Sequence, residues 1–181
     1  FSGNGTKLNG GVFDCDRCIG IGSITAIIKD TTIKNVTMNI PSSATTNGMY
    51  DLFGNLGIDT LTIDNLIVNC SAAAVAIPVS LGQYFNGTTV IGKNFNITNV
   101  TIKTSGAVNS YGLYVLKTYG VNIENVNYLN TSGNSHFRLV YLTACENTNV
   151  RNVYITGVNQ IGVFFDNCTG RNSAAYVNNV S

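Results

Sequence analysis

Nine carboxylates are all that this 181-residue sequence supplies, and they limit the chemistry it can do. Hydrolysis of a glycosidic bond needs two of them flanking the bond, roughly 5–9.5 Å apart. Asp64 and Glu124 are one candidate catalytic pair. Each stands directly before a recurring asparagine, in the series Lys34, Asp64, Thr98, Glu124, Arg151. If those positions stack, the two carboxylates lie two layers apart, about 9–10 Å, at the upper edge of inverting geometry. The competing reading is a surface file of mixed charges that makes weak cross-layer pairs. Asp14 and Asp16 are a second candidate: as alternate residues of one strand they would share a face about 7 Å apart. One would then hold its proton against the like charge of the other. A polar loop is the competing reading there. His136, the one histidine, has no carboxylate beside it in sequence and reads as an exposed or turn residue.

Five cysteines are an odd number, and Cys15 and Cys18 form a C-x-x-C. That spacing suits a disulfide, half a zinc site or a redox pair. A second C-x-x-C and a histidine partner are missing, so no metal and no cofactor is expected. Buried apolar thiols are the first reading, and a Cys15–Cys18 disulfide the next.

Of seventeen aromatics, all Tyr or Phe, ten cluster in pairs: Tyr50 and Phe53, Tyr84 and Phe85, Tyr111 and Tyr114, Phe137 and Tyr141, Phe164 and Phe165. The period-two alternation of a strand sends some inward and some outward. Outward Tyr111, Tyr114 and Tyr141 beside Asn and Ser would make a flat, uncharged glycan-binding face. The same rings suit a core or the seam of an oligomer.

The elements that must position these groups announce themselves as a repeat. The hexapeptide apolar-x-Asn-apolar-x-apolar occurs as Ile33–Met38, Ile63–Val68, Ile97–Ile102, Ile123–Tyr128 and Val150–Ile155, with a truncated copy at Val177–Ser181. Its asparagines, Asn35, Asn65, Asn99, Asn125, Asn152 and Asn179, are 30, 34, 26, 27 and 27 residues apart. Short runs of β-branched and aromatic residues separated by Asn, Gly and Ser mean an all-β chain. A period of this length is one coil of a parallel β-helix, since a propeller blade takes about 40 residues or more. A bend between two strands needs a residue tolerant of the left-handed region, and Asn is the usual choice after Gly. Stacked, the six amides are expected to form a ladder, with the flanking Ile, Leu and Val filing inward. The expected fold is therefore a single-stranded right-handed parallel β-helix, a solenoid of about six coils with an Asn ladder. It fills residues 1–181 as one domain, read as a fragment of a longer chain or one unit of an assembly.

The composition is 44% hydrophobic and only 10% charged, with a formal net charge of +1. No field or basic run is present to attract nucleic acid, and no apolar stretch approaches the ~20 residues of a membrane span. Nine N-x-S/T sequons occur, at Asn4, Asn35, Asn69, Asn86, Asn96, Asn99, Asn130, Asn167 and Asn179. Ladder positions are expected to be inaccessible, which leaves Asn86 and Asn130, expected in loops, as the sites most open to glycosylation.

The opening Gly3-Asn4-Gly5-Thr6-Lys7-Leu8-Asn9-Gly10-Gly11-Val12-Phe13 is similar to the G-N-G-T-I-x-G-G stretch with which many right-handed β-helices begin. The chain resembles the pectin-lyase-like superfamily, which includes pectin-degrading enzymes, phage tailspikes and extracellular surface proteins. Its polygalacturonase signatures (N-T-D, D-D, G-H-G, R-I-K) and the calcium-site carboxylates of pectate lyases are absent here, so catalysis by analogy lacks its residues. The resemblance implies three function classes. The first is a rigid, homotrimeric tailspike or fibre shaft, extracellular or on a virion surface, that engages cell-surface polysaccharide. The second is a self-assembling extracellular filament or adhesin stacked end to end. The third is a fragment of a glycan hydrolase or lyase.

Overall fold

The computed structural model describes residues 2–23, 25–43, 48–51, 57–71, 77–82, 92–105, 111–131, 138–157 and 162–180. Fourteen strands lie among them: β1 (Lys7–Asn9), β2 (Val12–Asp14), β3 (Ile19–Ile21), β4 (Ile28–Ile40), β5 (Met49–Asp51), β6 (Ile58–Cys70) and β7 (Val79–Gly82), followed by β8 (Gly92–Thr104), β9 (Tyr111–Leu116), β10 (Thr118–Asn130), β11 (Arg138–Thr143), β12 (Glu146–Thr156), β13 (Val163–Asp166) and β14 (Ser173–Val180). They form two sheets in which every pairing is parallel. Sheet A runs β1-β4-β6-β8-β10-β12-β14, with β2 also on β4; sheet B runs β3-β5-β7-β9-β11-β13. From β3 on, the chain alternates between the sheets, so each return to sheet A adds one layer. This is an all-β parallel solenoid.

The expected six coils become about four full ones. The strands β4, β6, β8 and β10 each hold 13 residues, while β12 holds 11, β14 holds 8, and the first layer is split between β1 and β2. The repeat counts asparagines, but a full turn needs the whole 13-residue strand, which the outer layers lack.

Those long strands owe their shape to residues in the left-handed region. Asn35, Asn65, Asn99, Asn125 and Asn152 all have φ between 54° and 58°. Each is a corner that consumes one residue and resets the alternation. Hence Ile33 and Val36, three apart rather than two, are both buried. The register then stacks like on like. Ile33, Ile63, Ile97, Ile123 and Val150 form one inward file, and Val36, Leu66, Val100, Val126 and Val153 another. Met38, Val68, Ile102, Tyr128 and Ile155 form a third, and no member of the three is more than 1% exposed. At roughly 1.5–3 kcal/mol for each buried aliphatic side chain, these files are the main attraction between layers.

The last hexapeptide is out of step. The rung opposite Asn152 is Tyr176, and Asn179 pairs with Ile155 instead. Only 24 residues separate Asn149 from its partner Ser173, so the final turn is shorter than the spacing of the asparagines implies.

Candidate functional site

The sheet A corner holds the predicted carboxylates. Register places Lys34, Asp64, Thr98, Glu124 and Arg151 on successive rungs, as the repeat implies. Each carboxylate faces a cation on the side away from the other: Lys34 Nζ is 3.7 Å from Asp64 Oδ2, and Arg151 donates to Glu124 Oε2 at 2.8 Å. Asp64 Oδ1 also accepts from Thr98 Oγ1 at 2.9 Å and Asn99 Nδ2 at 2.8 Å. The Asn99 and Thr98 hydrogen bonds, with Lys34 adding less, hold the Asp64 carboxyl below its usual range. An acid catalyst must hold a proton at its working pH, and Asp64 is held the other way. The two carboxylates stand two rungs apart, about 9–10 Å by strand spacing, with Thr98 between them. Cross-strand ion pairs and hydrogen bonds engage both carboxylates. Asp14 closes β2 and accepts from Asn39 Nδ2 at 2.5 Å, while Asp16 lies beyond the strand end, so the two do not share a strand face.

Asn35, Asn65, Asn99, Asn125 and Asn152 are exposed or half-buried rather than inaccessible, because a corner turns its own side chain outward. Their amides hydrogen-bond from layer to layer. Asn35 donates to Asn9 at 2.7 Å, Asn65 to Asn35 at 2.8 Å, Asn125 to Asn99 at 3.1 Å and Asn152 to Asn125 at 3.0 Å. The series is not the unbroken six-rung ladder expected: Asn99 turns to Asp64, and Asn179 is out of register. Two further amide runs were missed. Asn69 donates to Asn39 at 2.8 Å, and Asn149 donates through Asn122 to Asn96 at 2.9 and 2.8 Å. Their spacings equal those of the marker asparagines, which is the signal that would have found them. Also missed were two more left-handed files: Asp30, Thr60, Asn94, Gly120 and Asn147 at the entry to the long strands, and Lys117, Ala144 and Asn167 after sheet B.

Sheet B gathers the predicted tyrosines. Tyr114 lies between the core residues Leu113 and Val115, and Tyr141 between Val140 and Leu142, so both rings stand on the outer face. They occupy adjacent rungs, with Phe164 next in line. The rings of Tyr111, Tyr114 and Tyr141 stack at centroid distances of 5.8, 5.1 and 5.0 Å, with interplanar angles of 24–26°. Phe164 tilts against Tyr141 at 5.6 Å, and Tyr141 Oη donates to Asp166 Oδ2 at 2.6 Å. Tyr141 is covered at 9% exposure, so the ring surface that could meet the C–H face of a sugar is that of the half-buried Tyr111 and Tyr114.

All five cysteines stand as free thiols. Cys70 and Cys145 are buried, and Cys15, Cys18 and Cys168 are partly so. Burial pushes the Cys145 thiol up to about 12. Burial, then the neighbouring Cys15, does the same to Cys18, whose Sγ donates to the Cys15 carbonyl at 3.1 Å. Such thiols are poor nucleophiles. Among the described residues no three of His, Cys, Asp and Glu come together as metal ligands, and no helix is long and apolar enough to cross a membrane. Asn130 ends β10, half-buried, rather than sitting in a loop. Phe53, Tyr84, Phe85, Asn86, His136 and Phe137 lie outside the described residues, as do the side chains of Tyr50 and Asn179.

No family model, curated protein or solved structure matches this chain.

Proposed function

We propose that the chain is a rigid shaft that engages cell-surface polysaccharide through the outer face of sheet B, in the manner of a phage tailspike or receptor-binding fibre. The observation that carries this reading is the stack of Tyr111, Tyr114 and Tyr141 beside Asp166. Their neighbours in sequence are the inward aliphatics, and while Tyr141 is covered at 9% exposure, Tyr111 and Tyr114 are half-buried and supply the accessible ring surface. Rigidity is supported by the inward files and by the amide hydrogen bonds, which together act as a ladder along sheet A. A right-handed coil is part of the reading, because parallel crossovers are right-handed in about 98% of cases. So are a homotrimer, an extracellular or virion-surface location and a pectin-lyase-like ancestry, for which the opening Gly-Asn-Gly-Thr is the support.

The test is binding of the purified chain to immobilised capsular and lipopolysaccharide glycans, with light scattering run alongside. A fixed trimer whose glycan binding falls about tenfold in Tyr114→Ala is the expected result, in line with a lost stacking contact. Binding that Tyr114→Ala leaves intact removes the tyrosine face. Molar mass that climbs with concentration shifts the reading to an end-to-end filament.

A further inference from the structure

The connection from sheet B back to sheet A repeats one corner on three layers. Lys117, Ala144 and Asn167 hold φ at 48°, 51° and 50°, and the residues that follow them are Thr118, Cys145 and Cys168. Register pairs Leu116 with Thr143 and Thr143 with Asp166, and Glu146 bridges to Thr169. Cys145 and Cys168 are therefore direct neighbours on adjacent rungs.

Their thiols hold the same pose, moved by one layer. Cys145 Sγ is 3.5 Å from the Thr143 carbonyl oxygen and 3.4 Å from that of Val115. Cys168 Sγ is 3.6 Å from the Asp166 carbonyl oxygen and 3.4 Å from that of Leu142. Thr143 pairs with Asp166 and Val115 with Leu142, so each contact of one thiol is the rung neighbour of a contact of the other. Thr118 meets the first of these needs with a hydroxyl, Oγ1 donating to the Leu116 carbonyl at 3.0 Å. A hydroxyl thus serves this corner, and two thiols add chemistry that a hydroxyl lacks.

Adjacent rungs set the two Cα atoms about 4.8 Å apart, inside the roughly 4.4–6.8 Å that disulfides span. The side chains also interact directly: the Cys168 thiol is one of the groups that raise the pKa of Cys145. Cys70, by comparison, has Ile40 and Thr104 as its rung neighbours. We infer that Cys145 and Cys168 are a redox site, whose cross-rung disulfide clamps the β13–β14 layer onto the β11–β12 layer when a low-molecular-weight disulfide is supplied. Cys145 is 1% exposed and Cys168 is half-buried, so Cys168 attacks first. Its thiolate displaces one thiolate from the small disulfide and leaves a mixed disulfide on Cys168. Cys145 gives its proton to solvent and displaces the second thiolate. Two protein thiols are oxidised and the small disulfide is reduced to two thiols. None of this depends on the glycan reading.

The test is incubation of the folded full chain with excess oxidised glutathione, followed by intact mass, a peptide map without reductant and amide hydrogen exchange. A peptide joining Cys145 to Cys168 is expected, with exchange in β14 slowed by about tenfold or more, and dithiothreitol should reverse both. Cys168→Ser keeps a hydroxyl for the role Thr118 plays and should lack the cross-link and the slowing. The oxidised and reduced parent chains give the comparison without any variant. Free thiols at the end of the incubation, glutathione held on Cys168 as a lasting mixed disulfide, or pairing of either residue with another cysteine overturns the site. A Cys145–Cys168 bond that leaves exchange in β14 unchanged overturns the clamp.

Discussion

The outer corner of sheet A and the outer face of sheet B solve the same stacking problem with different side chains. On sheet A each layer presents an amide or a charge, and neighbours satisfy one another by hydrogen bonds at 2.7–3.1 Å and two ion pairs. On sheet B the layers present aromatic rings at centroid distances of 5.0–5.8 Å. Repetition at one layer per rung favours any group that bonds to a copy of itself above and below, and amides and rings both do. They differ in what is left for a ligand. Amides that donate to the layer below and accept from the layer above spend most of their capacity inside the protein, whereas Tyr111 and Tyr114 are half-buried and leave part of their rings at the surface. The corner that looks most conspicuous in the sequence thus has its side chains engaged with one another, and the plainer aromatic face is the one we propose for binding.

The largest expected effect separates the backbone tolerance of the two sheets. At the end of β7 a Cβ on Gly82 would lie 1.8 Å from the Leu116 carbonyl oxygen, at φ +94°. Gly82→Ala should cost about 3 kcal/mol or more in a denaturant titration. A cost below about 1 kcal/mol would mean that the sheet B corner yields as readily as an open loop. At the sheet A corner, Asn99→Ala loses both a left-handed-tolerant residue and its bonds to Asp64 and Asn125, and should cost about 2 kcal/mol. Asn99→Gly keeps the backbone freedom and isolates the amide, so about half that loss should return. Equal losses would make the amide, not the bend, the role of this residue.

Thr60 tests the corner rule in the opposite direction. It holds φ 65° with a β-branched side chain, where its file neighbours Asp30 and Asn94 have residues better suited to that region. Thr60→Asn should raise the melting midpoint, by about 1 kcal/mol in stability. A destabilised variant would show that the Thr60 hydroxyl, which donates to Asp59, outweighs the strain.

The smallest effect is electrostatic. Asp64 has its carboxyl pKa lowered on folding from an ordinary value of 3.8, by Asn99, Thr98 and then Lys34. A depressed folded value means that its contribution is complete above about pH 4–5 and is lost as pH falls through the folded pKa. For a partly exposed pair it is under about 1 kcal/mol. Stability of Asp64→Asn measured from pH 7 to pH 2 should lie slightly below the parent at neutral pH and converge with it in acid. A gap that persists at pH 2 would mean that the loss is not the charge.

Much of the fold was legible because the hexapeptide couples two signals: an asparagine at a corner and apolar residues on either side that must face inward. That pair fixed the register of Asp64 opposite Thr98 and of Ile33 beneath Ile63 and Ile97. It failed at Val177–Ser181, where the same letters recur by composition and the shorter last turn carries Asn179 off the file. The other left-handed files were illegible because Asp30, Thr60, Gly120, Lys117 and Ala144 share a backbone angle and no residue type. The outward tyrosines were half legible: Leu113-Tyr114-Val115 and Val140-Tyr141-Leu142 carry the inside–outside phase, but only knowing that the aliphatics are core resolves it.

Four successive turns keep a strand of 13 residues, yet their asparagines are 30, 34 and 26 residues apart. All variation in length therefore falls outside sheet A, and a whole turn is an exchangeable cassette. Excising residues 58–91 would bring β8 down onto β4, rejoining Ile33 to Ile97 and Val36 to Val100 and shortening the shaft by one rung. Such an excision keeps like on like in the Ile33 and Val36 files, while Phe95 would meet Thr31 in place of Leu61 and Thr104 would meet Ile40 in place of Cys70.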